Sequence, residues 1–307
     1  MDNYRPEGCL IRTASNQKAI SSWQGLQEAM ENGTVLEARA AVCDSSHNII
    51  VDLPCGKGII PRIEGAVGID DGTTRDIALI SRVNKTVCFK VTCIKEQSDG
   101  SMAAYLSRKK AQEECIENYI SKLKAGDVID AKVTHLEQFG CFVDIGCGIP
   151  SLIPIDTISV SRISNPSDRF TVGDEIKAVV KSRENGRICL THKELLGTWE
   201  ENAAEFQQGE TVSGIVRSVE EYGIFVELTP NLAGLAEPRP GILVGQSISV
   251  YIKAIIPDKM KVKLIIVDVC GETEAVKRNK YYFTGTHLSE WRYAPEGCGK
   301  GSGTVFI

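Results

Sequence analysis

A mainly β chain of three tandem small barrels joined by short α-helices is the fold the sequence predicts, on three observations. A helical pattern runs into a glycine three times, and a β-rich block follows each time. One strand motif, Leu136–Ile145, returns 83 positions downstream as Val219–Leu228. The later two blocks each close on a tight reversal between apolar strands. In the first of these the turn holds Asn185-Gly186, the strongest short-range hairpin signal. Five short strands per block with Gly-rich turns suggest a small closed barrel.

The helical stripes come first. Trp23, Leu26 and Met30 stand at i, i+3, i+7 and lead to Gly33. Cys115, Tyr119, Ile120 and Leu123 lead to Gly126, and Leu196, Trp199, Ala203 and Phe206 lead to Gly209. Glycine suits the position after a helix because it enters the left-handed region without steric cost. The recurrence is an internal repeat with a period between 83 and 93 residues.

The strands follow in order. Val128–Leu136 and Val212–Val219 open the second and third blocks, and the echoed motif supplies the next strand. Within it Cys141, Val143 and Ile145 share one face, while Phe142 and Asp144 share the other. Phe225 and Glu227 repeat that arrangement. An aromatic ring on the carboxylate-bearing side of a half-buried strand suits base stacking better than core packing. Segments of poor periodicity, 148–170 and 230–242, precede Gly-led strands at 173–180 and 245–254. Turns at 183–186 and 257–260 then reverse the chain into Arg187–Thr191 and Lys261–Val267. The first block keeps the skeleton, with Ile49, Val51 and Leu53 inward and Ile50 and Asp52 outward. His47 and Ile50 stand where the later blocks carry rings.

Composition narrows the class. The 307 residues are 42% hydrophobic and 24% charged, a globular balance, and the length implies two or three domains. No apolar run approaches the ~20 residues of a membrane span, and the first residues lack a secretory pattern. Eleven cysteines without any C-x-x-C read as free thiols in a reducing cytoplasm. A net charge of −5 counts against nucleic-acid attraction over the whole surface, though not against a local site. His135 and His192 lack a Ser or Cys partner by spacing, paired acids are absent, and Gly-Lys-Gly-Ser-Gly near the C-terminus is not a P-loop. No enzyme, cofactor or metal site is expected.

The ordered series Gly126-Asp-Val-Ile-Asp-Ala-Lys-Val, Phe139-Gly-Cys-Phe-Val-Asp, Val172-Gly-Asp-Glu-Ile-Lys-Ala-Val-Val and Gly186-Arg-Ile-Cys-Leu-Thr-His-Lys resembles the S-one RNA-binding repeat. The third block is similar over Gly209–Val216, Tyr222–Glu227 and Lys261–Leu264, and the first block is a degenerate relative. The resemblance implies three five-stranded OB-fold barrels. It also implies stacking rings at Phe139 and Phe142 in the second and at Tyr222 and Phe225 in the third, with phosphate contacts from Arg187 and Lys261. A loop histidine usual in that family is replaced by Pro154 and Glu237.

The division that goes with this is an N-terminal extension with a helix (1–32), a degenerate first barrel (33–108), a helical linker (109–125) and a second barrel (126–194). A second linker (195–208), a third barrel (209–270) and an aromatic-rich tail (271–307) complete it. The tail reads as a terminal hairpin packed on the third barrel, with residues 297–303 flexible; the alternative is an added surface for RNA or ribosome, because Lys277, Arg278, Lys280 and Arg292 accompany its rings. The function implied is binding of single-stranded RNA such as mRNA in the cytoplasm, in translation initiation, with the first barrel docking to the small ribosomal subunit. Two alternatives stay open: an adaptor whose barrels have lost RNA binding, or the RNA-binding subunit of an RNA-processing enzyme.

Overall fold

A computed structural model describes residues 4–97, 100–184, 186–270, 280–298 and 302–307. The expectations for Asn185, for Lys277 and Arg278, and for part of the glycine-rich 297–303 stretch lie outside these residues. The chain divides into two compact units. The first holds the residues through Leu123 with Asp130–Lys132 and Asp144–Pro150, and the second holds the rest.

In the first unit α1 (Ala14–Ile20) and α2 (Trp23–Glu31) begin at Thr13 and Ser22, whose side-chain oxygens accept from the backbone N–H of Asn16 and Gly25. The first of these helices has no counterpart in the sequence expectation. Strands β1 (Leu36–Cys43), β2 (Ile49–Leu53) and β3 (Gly56–Ile60) follow, then a short helix α3 (Ile77–Ile80), β4 (Thr86–Glu96) and β5 (Met102–Ser107). They close in the order β1-β2-β3-β5-β4, with β3 and β5 parallel. Ile49 and Val51 are fully buried with Leu36, Phe89 and Leu106, as alternation along β2 requires. Helix α4 (Arg108–Asn118) starts at the Ser107 cap and stops at Asn118, so the stripe reaching Leu123 is a helix followed by a separate 3-10 turn at Ile120–Lys122.

Residues 7–11, ahead of α1, form a strap held down by hydrogen bonds. Glu37, on β1, accepts the backbone N–H groups of Gly8, Leu10 and Ile11 at 3.0, 2.9 and 2.8 Å. Glu7 is buried against the Arg108 guanidinium at 2.7 and 3.1 Å, with Arg82 at 3.3 Å. Burial alone would raise the Glu7 pKa, but the Arg108 and Arg82 charges hold it below the usual carboxylate value. Glu37 has hydrogen bonds but, among the described residues, no cation beside it, and burial pushes it up to about 7.

The second barrel consists of β6 (Val128–Glu137), β7 (Gly140–Asp144), β8 (Pro150–Pro154), β9 (Glu175–Glu184) and β10 (Arg187–Thr191). The expected third helical stripe is broken. A 3-10 turn at Lys193–Leu196 ends at Gly197, whose φ of 85° lies in the left-handed region, and α5 (Trp199–Ala203) restarts on a Thr198–Glu201 capping box. The third barrel contains β11 (Thr211–Glu220), β12 (Gly223–Thr229), β13 (Leu232–Ala236), β14 (Ser247–Ile256) and β15 (Lys261–Cys270). Both close in the strand order of the first barrel. Trp291, the central residue of β16 (Glu290–Arg292) in a two-stranded ribbon with β17 (Gly303–Val305), and Tyr293 just after that strand are buried in the third barrel's core cluster. All eleven cysteines are free thiols.

A polar seam runs through the second unit. The Asn231 side chain accepts from Val160 N–H at 3.0 Å and donates to the Lys193 and Gly197 carbonyls at 2.8 Å each. Ser161 N–H donates to the Pro230 carbonyl at 3.0 Å. These bonds join the turn between β12 and β13 to the loop after β8 and to the segment after β10.

Candidate nucleic-acid interface

The aromatic–Gly pair at the start of β7 and β12 has a steric origin. A Cβ on Gly140 would lie 2.6 Å from the Ile153 carbonyl oxygen, and one on Gly223 would lie 2.8 Å from that of Ala236. Only glycine lets the second strand approach the third this closely, so the ring before it turns outward. Phe139 is 57% and Tyr222 69% exposed.

The second ring of each pair is half-buried and meets the first edge-on. The Phe139 and Phe142 centroids are 5.9 Å apart at 88°, and those of Tyr222 and Phe225 are 6.2 Å apart at 86°. This edge-to-face contact is the preferred aromatic pairing, and it leaves ring faces open. His135 on β6 adds a third ring beside Phe142, at 6.4 Å and 30°. Spacing gave no sign of it, because a histidine in a strand pattern carries no stacking signature.

Strand register arranges the rest. Phe225 pairs with Leu235 across β12 and β13, and Leu235 pairs with Lys263 across β13 and β15. A ring, an aliphatic side chain and a cation thus form one row across the sheet. Tyr222, Phe225 and Lys261 line a groove of about 460 Å³ that also takes in Lys253, Lys259, Lys263 and Glu237. The structure therefore brings Lys261 together with both rings in one groove and adds three lysines. Lys263 was legible in principle: Val262 between it and Lys261 is buried, so the two point to the same side. In the second barrel Arg187 is exposed at the start of β10, paired with Glu184 across the hairpin. Pro154 ends β8, and Glu237 directly follows β13.

In the first barrel the corresponding row reads Ile50, Ile59 and Tyr105. Strand β2 has no ring, yet β5 supplies one. Lys95 lies 5.9 Å from the Tyr105 ring centroid. His47 sits instead 3.7 Å from Asp76.

The carboxylates overturn one expectation. Asp144 and Glu227 were read as solvent-facing markers of an exposed strand face, but they are 3% and 0% exposed. Asp144 accepts the backbone N–H groups of Glu7, Gly146 and Gly148 at 2.7, 2.8 and 3.0 Å. Burial, reinforced by the Glu7 charge, pushes its pKa up to about 7. Glu227 takes Arg169 at 2.5 Å and Arg217 at 2.6 Å, and Arg217 also reaches Asp168 at 3.1 Å. Burial pulls the Arg169 pKa down, while the Glu227 charge opposes the shift. The ring on each strand is open to solvent, but the acid two residues beyond is a buried clamp.

Among the described residues no helix is long and apolar enough to cross a membrane, and no cluster of three or more His, Cys, Asp or Glu could hold a metal ion.

Three closed barrels of this strand order, two with a paired-ring second strand, define tandem OB-fold domains of the S1 type. Residues 122–193 match the S1 RNA binding domain family. The small ribosomal subunit protein bS1 of Staphylococcus aureus (strain COL) is 29% identical over 285 residues, covering 86% of this chain and 69% of that protein. The bS1 protein of Staphylococcus haemolyticus (strain JCSC1435) is 28% identical over 297 residues, covering 90% and 72%. A solved multidomain protein with nucleic acid binding domains from Streptococcus pneumoniae aligns at 13% identity and a TM-score of 0.26, over 76% of this chain and 73% of that one. The chain carries an S1 domain and is similar to bS1 along most of its length.

Proposed function

We propose that the chain is a single-stranded RNA-binding protein of the ribosomal S1 type. Bases stack on Phe139 and Phe142 of the second barrel and on Tyr222 and Phe225 of the third, and Arg187, Lys261 and Lys263 follow the phosphates. The observation that carries this reading is the open, edge-on ring pair recurring at one repeat position, set in the third barrel beside four lysines. Aromatic stacking contributes about 1–3 kcal/mol per base and tolerates any sequence. The functional division is the one read from the sequence: barrels at 33–108, 126–194 and 209–270. It describes a binding protein rather than an enzyme.

The test is titration of the full chain with a fluorescent pyrimidine-rich single strand. Phe142→Ala/Phe225→Ala is expected to weaken binding by about 30-fold or more, with an unchanged far-UV spectrum. Binding should fall with salt at a logarithmic slope of about 0.7 per phosphate contacted. Unchanged affinity in the double variant removes the stacking assignment.

The likeness to bS1 supports a cytoplasmic role in which the chain would bring or hold mRNA at the small ribosomal subunit in translation initiation. The first barrel is the docking element in this reading. Ile63, Ile77 and Ile80 are exposed there at 55, 65 and 43%, an apolar surface suited to protein contact.

A further inference from the structure

We propose that Glu237 gives the third barrel a base preference, selecting guanine over uracil at the ring pair. The inference rests on the stacking reading above and adds a residue that determines specificity.

Glu237 follows the last residue of β13, and its neighbour Ala236 pairs with Ile224, next to Phe225. It lines the same groove as both rings. Its side chain is exposed, and among the described residues it makes no hydrogen bond or ion pair, although lysines line that groove. A carboxylate repels phosphate, so in a groove that only tracked the backbone it would oppose binding. It is also a pure acceptor with two oxygens, and so can read base donors.

Guanine alone presents two adjacent donors, N1–H and the N2 amino group, on its Watson–Crick edge, and these match the two carboxylate oxygens. Adenine and cytosine each offer an amino group beside a ring-nitrogen acceptor, which a carboxylate repels. Uracil offers one N–H between two carbonyls. A base stacked on a protein ring presents this edge for reading. The second barrel is an internal contrast, because Pro154 at the matching place has no side-chain acceptor. Guanine is therefore chosen at one barrel of the two.

The experiment uses fluorescence anisotropy of the full chain with labelled heptanucleotides, uridine throughout except for a central guanosine, inosine or uridine. The guanosine strand is expected to bind about 5- to 10-fold tighter than all-uridine, the lower end for a bidentate base contact because the groove is open to water. Inosine, which lacks the N2 amino group, should fall between them. Glu237→Ala is expected to abolish the preference, weakening the guanosine strand and strengthening all-uridine as phosphate repulsion is relieved. If the guanosine-to-uridine ratio survives Glu237→Ala while Phe225→Ala still weakens both strands, the assignment of Glu237 is overturned alone. If no strand binds, or binding ignores Phe225→Ala, the stacking reading falls and takes this inference with it.

Discussion

His192 is enclosed by Phe170 and Tyr281, whose rings meet it edge-on at 5.0 and 5.6 Å. Its Nδ1–H donates to the Ile158 carbonyl at 3.0 Å, and its Nε2 accepts from the Tyr281 hydroxyl at 3.3 Å. Burial, with the Arg169 charge adding to it, pulls the pKa down to about 4. In the unfolded chain the imidazole titrates near 6.5. The stabilisation from keeping it neutral is complete above pH ~6.5 and is lost as pH falls toward ~4, about 3 kcal/mol in full. Urea unfolding at pH 7.5 and 5.0 should therefore show a steeper loss in the natural chain than in His192→Asn, by about 2 kcal/mol. Parallel losses would mean that His192 protonates within the fold. Sequence spacing gave His192 no partner, because its enclosing ring Tyr281 lies 89 positions away.

At the scale of the strand, β12 carries its ring and its clamp two residues apart. Glu227→Gln keeps the shape but leaves Arg169 and Arg217 without their buried counter-charge. Breaking a buried pair in this way costs about 3–5 kcal/mol. Hydrogen exchange along β12 should rise and the urea midpoint fall. An unchanged midpoint would show that Asp168 and water suffice for the two arginines. The strands themselves were legible because alternation and the glycine-marked turns are local. Burial of Asp144 and Glu227 was not, since Arg169 lies 58 positions from Glu227 and the donors to Asp144 are main-chain N–H groups with no residue signature. The helices were half legible. Their apolar stripes are real, but Gly197 at positive φ and the stop at Asn118 divide what periodicity joined.

Across the whole chain, a net charge of −5 coexists with four lysines around one groove, so total charge was a poor guide to the local field. Three barrels were countable in advance because each repeats the same local pattern. The docking role of the first barrel is tested by co-sedimentation with small ribosomal subunits. Deleting residues 1–108 is a poor probe, because Glu7 N–H and Arg108 belong to the surroundings of Asp144. Ile77→Glu/Ile80→Glu is expected to release the chain from the subunit pellet while leaving affinity for a free single strand unchanged. Retention in the pellet would move the docking surface elsewhere.

The strap also sets an order in time. Glu7 leaves the ribosome long before its partners, since Arg108 follows 101 residues later and Asp144 follows 137 later. At about 5–20 residues per second, Asp144 arrives roughly 7–30 s after Glu7. During that interval the strap has no complete set of acceptors and cations to close on. The earliest-made of these residues are thus among the last to settle, and synthesis must run well into the second barrel before the first unit is sealed.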